Sequence, residues 1–315
     1  MAIVFLLTLS SIPAQIPERP IFVYRSGFWL SLHHYLYVLG RVDAKMPDIQ
    51  RRAVAGAPDD EAKGLATLNA SEVQIWKDIV REYGTGLSRM DAVFDDRMVT
   101  IGRALAAAGN VDSLERSDVE PNVRKLLERA APVYRKAWWQ KHETANRFRM
   151  AELDALVQRH GRAILAYLVR AYEQPWPSDG YPVQFTPFSN WAGAFSTRGR
   201  HLVFSSLDEG LAGLPGLETL FHEAMHQWDE IMDDKLAAAS KAKQTQVPAN
   251  LSHAMIFYTA GEAVRSVIPG HRPYAETRDM WNGAFREFKP RLDAVWKPYL
   301  EGRGSLAETL RNLLN

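Results

Sequence analysis

The 315-residue chain contains no cysteine. That excludes disulfides, thiol nucleophiles, thiolate metal ligands and a lipidated cysteine anchor, so a metal site here must be built from His, Asp and Glu. Strong charge of either sign is also missing. The formal net charge is +1, and basic residues interleave with acidic ones along helical stretches. Nothing in the overall field marks nucleic acid or an acidic membrane as the main partner. No segment is apolar for long enough to span a bilayer, so stable membrane insertion is not expected. Internal repeats and low-complexity linkers are absent as well. What remains is ordinary globular composition, 46% hydrophobic, with enough apolar material for one large domain or two lobes sharing a cleft.

Met1 to Leu9 read MAIVFLLTL, followed by SSIPAQ. An apolar run of this length before small residues and a proline resembles a secretory signal peptide cleaved after Ala14. Residues 1–14 are therefore expected to direct export to the periplasm or beyond; without such a signal the chain is cytoplasmic. No Lys or Arg precedes the run, and Ile12 is large for its position.

Up to Tyr172 the pattern is helical, and residues 15–173 read as a helical lobe. Ser71 opens a segment with Val73, Trp76, Ile79 and Val80 on one stripe, closed by Gly84. Leu87 to Ala108 reads as a second helix, ended by Gly109. Val123 to Ala131 stops at Pro132, and a long stretch runs from Val133 to Tyr172. Residues 52–64, RAVAGAPDDEAKG, look most like a loop. Gln174-Pro-Trp-Pro-Ser-Asp-Gly then marks a change. Strand-like runs follow at Val183 to Phe188 and Trp191 to Ser196, and a turn at Thr197-Arg-Gly-Arg leads to His201 to Ser205, a predicted hairpin. Helices resume at Leu217 to about Leu236, Ala249 to Ile268 and Glu276 to Trp296. The predicted fold class is mainly α with a small β-sheet (α+β), with residues 174–315 as the catalytic region.

Phe221-His-Glu-Ala-Met-His-Gln contains His222-Glu223-x-x-His226. At 3.6 residues per turn the two histidines lie about 40° apart on one helix face, so both imidazoles can meet one cation. Glu223 sits about 60° from His226, placed to contact a metal-activated water without ligating the metal. Zinc lowers the pKa of water and an adjacent carboxylate takes its proton, which is what hydrolysis requires. Leu217, Leu220, Phe221, Ala224, Met225 and Trp228 make this helix largely apolar. Its buried histidines and glutamate therefore need partners. A catalytic zinc takes three protein ligands, and no Gly and His follow His226 closely enough to supply the third. Glu262, in Tyr258-Thr-Ala-Gly-Glu-Ala-Val-Arg, is the first choice; Asp229, Asp233, His253 and Glu276 are the others.

With this motif and Glu262, residues 185 to 268 resemble the gluzincin branch of the zincin metallopeptidases, the thermolysin-like superfamily. The resemblance implies a zincin-like catalytic domain in which a glutamate on a second helix completes a zinc site. On that basis His222, His226 and Glu262 hold Zn2+, Glu223 is the general base, and the substrate is a peptide or protein. Oxyanion stabilisation falls to Tyr258, one turn before Glu262, or to His253, at the offset where such enzymes place a substrate-facing side chain. An edge strand at Asn190-Trp-Ala-Gly-Ala-Phe would pair with substrate backbone. His33-His34 lie side by side on a helix, about 100° apart, a poor chelate; one of them lines the cleft or both pack. Two other readings use the same residues: a non-haem iron site of two histidines and a carboxylate, and a non-catalytic helical scaffold with a structural metal site or none.

Overall fold

The computed structural model describes residues 20–47 and 51–314 and is mainly helical with one small sheet, the expected fold class. The segment read as an export signal, residues 1–14, lies outside the described residues. Strand β1 (Phe22–Ser26) precedes seven helices: α1 (Phe28–Asp43), α2 (Arg52–Ala55), α3 (Ala57–Leu65), α4 (Ala70–Thr85), α5 (Asp96–Ala108), α6 (Pro121–Tyr134) and α7 (Gln140–Tyr172). Strands β2 (Tyr181–Thr186), β3 (Ala194–Thr197) and β4 (His201–Ser205) follow, then α8 (Gly213–Met225), α9 (Asp229–Lys243) and α10 (Leu251–Val267). Short helical turns complete the chain, ending with Leu306–Asn312.

The sheet order is β1-β2-β4-β3, parallel except for the β3–β4 hairpin, which turns at Arg198-Gly199-Arg200 as predicted. Gly199 takes a positive φ of 76° there, open to glycine without strain. β1 is a strand that the helical reading of the first half missed. Its partner β2 lies far along the chain, and no local pattern announces such a pairing. Both sheet faces are covered, so β4 is buried at every residue and its alternate side chains enter different cores. Leu202 and Phe204 join the cluster of α7, α8 and α10, whereas Val203 joins that of α1, α4 and α6. These two apolar cores do not divide at residue 173: Leu153 to Tyr172 of α7 pack with the C-terminal helices.

Helix α1 is the axis of the N-terminal core, buried throughout Phe28–Gly40, as its all-round apolar sequence requires. Gly40 and Gly84 let α1 and α4 touch backbone to backbone. A Cβ on Gly84 would lie 2.9 Å from the Gly40 carbonyl oxygen. Gly84 thus lies inside α4 and does not close it, and α4 begins with an Asn69–Glu72 capping box rather than at Ser71.

Other predicted boundaries also move. Residues 52–64 are helical: Pro58 sits in the first turn of α3, where its missing N–H costs nothing, and Ala53, Val54 and Ala57 are buried. The predicted helix Leu87–Ala108 is a 3-10 turn at Leu87–Arg89 and then α5, restarted by the Asp95 cap. Pro132 does not end its helix. α6 runs through it into a five-residue π turn, Arg135–Trp139, which shifts the register into α7. The predicted helix Glu276–Trp296 is broken into turns, with Asp279 in the left-handed region at φ 54°.

The aromatic cluster around Tyr35, Trp76, Tyr134 and Trp138 encloses a buried carboxylate, Asp60 on α3. Tyr35 donates to Asp60 at 2.9 Å, His142 Nε2 donates at 2.8 Å, and Lys141 pairs with it. Tyr134 donates to His142 Nδ1 at 2.9 Å, so the imidazole is the neutral Nε2–H tautomer, and burial holds it in that form. Burial alone would raise the Asp60 pKa. The His142, Lys141 and Tyr35 hydrogen bonds overcome that and bring it from 3.8 down to about 2. A depressed carboxylate stabilises the fold fully above about pH 4 and loses that contribution as the pH falls towards 2. The shift corresponds to about 2 kcal/mol. Asp60→Asn is expected to unfold at lower denaturant than the parent at pH 7, with the gap narrowing below pH 3. An equal gap at pH 7 and pH 2.5 in urea titrations would contradict this account.

Candidate metal centre

Helix α8 positions the motif. Every residue from Gly216 to Met225 is buried, because GLETLFHEAM packs on α7 and α10 and its C-terminal end meets β3. The helix does not run on to Leu236 as predicted. It ends at Met225, a 3-10 turn covers His226–Trp228, and α9 starts at Asp229. His226 therefore sits at a corner. Its Nδ1 donates to Asp229 Oδ2 at 2.8 Å, which leaves Nε2 as the nitrogen able to ligate. The hydrogen bond to Asp229 and the Glu223 and Asp229 carboxylates push this imidazole up against the opposing effect of burial.

The third imidazole comes from α10. His253 has its ring centroid 5.5 Å from that of His222 and 5.2 Å from that of His226, and the His222 and His226 centroids are 5.2 Å apart. One ring nitrogen from each of the three lies within 4.8 Å of the other two, so the group can hold a metal ion. The ring chemistry fits. Burial, together with the neighbouring imidazoles, pushes His222 down and His253 down to about 4, which keeps both rings neutral, as ligation requires. His222 Nδ1 is buried with no hydrogen-bond partner among the described residues, an open position of the sort that coordination satisfies. Phe257 packs against His222 at 4.0 Å between centroids, with the rings tilted by 38°, and restricts the imidazole.

Glu262 is not part of this group, which corrects the ligand set. α10 is unbroken from Leu251, so His253 keeps helical phase and Glu262, nine residues on, points about 180° away. Its carboxylate instead accepts from Arg265 at 3.0 Å. Tyr258 is about 140° from His253 on the same helix, and its hydroxyl donates to Asp293 at 2.7 Å, away from the imidazoles. Burial and the Asp293 carboxylate both push that phenol up. Of the other suggested ligands, Asp229 orients His226, Asp233 is exposed, and Glu276 pairs with Arg265. His33 and His34 pack: His33 Nδ1 lies 3.2 Å from the Tyr83 hydroxyl, and His34 Nδ1 donates to the Ser189 carbonyl at 2.9 Å.

Glu223 stands beside the imidazoles as its place in the motif requires. Its backbone carbonyl accepts from Ser196 of β3 at 2.7 Å, which ties the helix to the sheet edge. Its Oε1 lies 3.9 Å from His222 Nε2, too far for a direct hydrogen bond. Burial pushes this carboxylate up, against the opposing pull of His226 and the Ser196 hydrogen bonds.

His222, Glu223 and His253 form part of the wall of a cavity of about 430 Å³. Trp191 and Ala192 border it before β3, and Tyr274, Arg278 and Met280 border it after α10. Arg51 and Arg52 reach it from the first half of the chain. Sequence reasoning found none of these arginines. No motif surrounds them, and only the packing of α2 against the 3-10 turn Glu209–Leu211 brings them here. Glu218, one turn before His222, is buried and accepts from His271 Nε2 at 2.6 Å and from the Tyr274 N–H at 2.8 Å. It therefore anchors the loop that carries Tyr274. No family model, curated protein or solved structure matches the chain.

The geometry separates the two possible third ligands. His253→Ala is expected to strip near-stoichiometric metal from the purified protein, whereas Glu262→Ala retains it, by elemental analysis. Asp229→Asn should weaken metal affinity about 10- to 100-fold through loss of His226 orientation. Metal lost from the Glu262 variant and kept by the His253 variant would restore the carboxylate ligand.

Proposed function

We propose that the protein is a zinc-dependent metallopeptidase in which His222, His226 and His253 hold the metal and Glu223 is the general base. The observation that carries this reading is the placement of a buried carboxylate beside three converging imidazoles, two of which, His222 and His253, are kept neutral by burial and border one open cavity together with Glu223. A donor set of three nitrogens without thiolate suits zinc. It also departs from the two-histidine, one-carboxylate set of ferrous oxygenases. Zinc, when bound, supplies Lewis acidity, lowering the pKa of water and polarising a carbonyl.

The chain's own groups provide the rest. Glu223 takes the proton of the attacking water and delivers it to the leaving amine, a role suited to a carboxylate whose proton affinity burial raises. Asp229 orients His226 with Nε2 as the nitrogen able to ligate. β3 ends the sheet order, and Ala194 at its start borders the cavity. Its free edge can therefore pair with an extended peptide backbone and lay it across the imidazoles. The family resemblance carried by His222-Glu223-x-x-His226 supports a peptide bond as the scissile group, with a histidine in place of the glutamate expected as third ligand. A metal-stabilised scaffold is less well supported, because a structural site is closed whereas His222 and His253 border an open cavity.

Glu223→Gln is expected to lower peptide hydrolysis at least 100-fold while stoichiometric zinc is retained. Tyr258→Phe should change turnover less than twofold, since that hydroxyl is engaged with Asp293. Full activity in the Glu223 variant, measured with a mixed fluorogenic peptide set, would rule out the mechanism.

A further inference from the structure

The cavity that borders the imidazoles is cationic at its mouth, and this bears on what enters it. Arg51 lies over the Trp191 ring at 5.5 Å and Arg278 over the Tyr274 ring at 5.3 Å. Neither has a carboxylate partner among the described residues. Arg52 pairs with Asp208, whose Oδ1 also accepts from the Gly210 N–H at 2.9 Å. Both guanidinium groups, those of Arg52 and Arg278, lie close over the Gly210 backbone, within 3 Å of where a Cβ there would stand. Two guanidiniums thus converge on one point of backbone, and Arg278 acts on Arg52 as a like charge, adding to burial in pushing it down.

The acids of the same cavity do not balance this charge. Glu218 is consumed by His271 and the Tyr274 N–H, and Glu223 stands at the imidazoles. A planar guanidinium stacked on an aromatic ring keeps its full charge and a fixed orientation, and its fork matches a carboxylate in two-point contact. A chain whose formal net charge is only +1 has therefore gathered three arginines around one cavity, with one carboxylate, that of Asp208, paired to them.

We propose that Arg278, with Arg51 and Arg52, binds a carboxylate of the substrate, so that the cavity selects peptides bearing a negative charge close to the scissile bond. The carboxylate comes either from the peptide's own C-terminus or from an acidic side chain. This inference rests on the peptidase reading of the cavity, and its test is chosen to fail separately from that reading.

The test is calorimetric titration of the zinc-loaded Glu223→Gln protein with three short peptides. These are acetyl-trialanine with a free C-terminal carboxylate, the same peptide as its amide, and acetyl-Ala-Glu-Ala amide. At least one anionic peptide is expected to bind about 10-fold or more tightly than the neutral amide, the range of one charge-assisted hydrogen bond. Preference for the free acid assigns the C-terminus, and preference for the glutamyl amide assigns a side chain. Arg278→Ala should remove most of the preference and Arg278→Lys part of it, with unchanged thermal melting, because the side chain is exposed. Equal binding of all three peptides overturns the proposal, as does a preference that survives in the Arg51→Ala, Arg278→Ala double variant. With the parent protein, equal hydrolysis of acidic and neutral peptides also overturns it and leaves the peptidase reading intact. If none is hydrolysed, the peptidase reading fails and the calorimetric comparison alone decides the carboxylate site.

Discussion

The burial of α8 is the constraint on which the rest of the structure depends. This helix carries His222 and two glutamates into a region that excludes water, with His226 in the turn that follows, and each polar group must find a partner or lose its charge. Glu218 finds His271 and a backbone N–H, and Glu223 anchors its carbonyl on Ser196. His222 is left with an unpartnered nitrogen. The packing around α8 accordingly sorts its polar side chains: one carboxylate is spent on structure, while one imidazole, held neutral by burial, and one carboxylate, pushed up by it, border the cavity. Leu217, Leu220, Phe221 and Met225, all buried on the same helix, offset the cost of carrying these groups inside.

Rigidity of the surroundings follows from the same arrangement. α8 leans on α7 and α10, and the Ser196–Glu223 hydrogen bond fixes its height against the sheet edge. The sheet is in turn clamped from the other face by the α1 core, through Phe188, Phe195 and Val203. The N-terminal helices thus support the site from behind, and at α2 they also supply part of its wall. A description of the chain as a separate helical lobe and a catalytic region misses this, because β1 and the second half of α7 belong structurally with the later residues.

Much of this was legible in the residues, and the failures have physical causes. Period and spacing located α4, α10, the β3–β4 hairpin and the pair His222 and His226, since these depend on local rules. Pairing between β1 and β2 was invisible, because the partners are separated by most of the helices and a strand of five residues gives little pattern. The arginines of the cavity were invisible for the same reason. Boundaries failed where tertiary packing outweighed local propensity. Pro132 lies inside a helix held by buried Ala131, Val133 and Tyr134, and Gly84 is a contact point rather than a stop.

The third ligand shows how one residue of helical phase decides chemistry. His253 and Glu262 cannot both face α8 when α10 is continuous, so one of the two must point away from the imidazoles. Asn250 adopts a left-handed conformation, φ 65°, and Leu251 already begins the helix, two residues before His253. This early start fixes His253 towards the imidazoles and leaves Glu262 to Arg265. Phe257, one turn after His253, continues the same face and packs against His222, so the apolar stripe and the imidazole share one side of α10. The apolar face of α10 and the face that carries His253 coincide, as they must when the imidazoles are themselves buried.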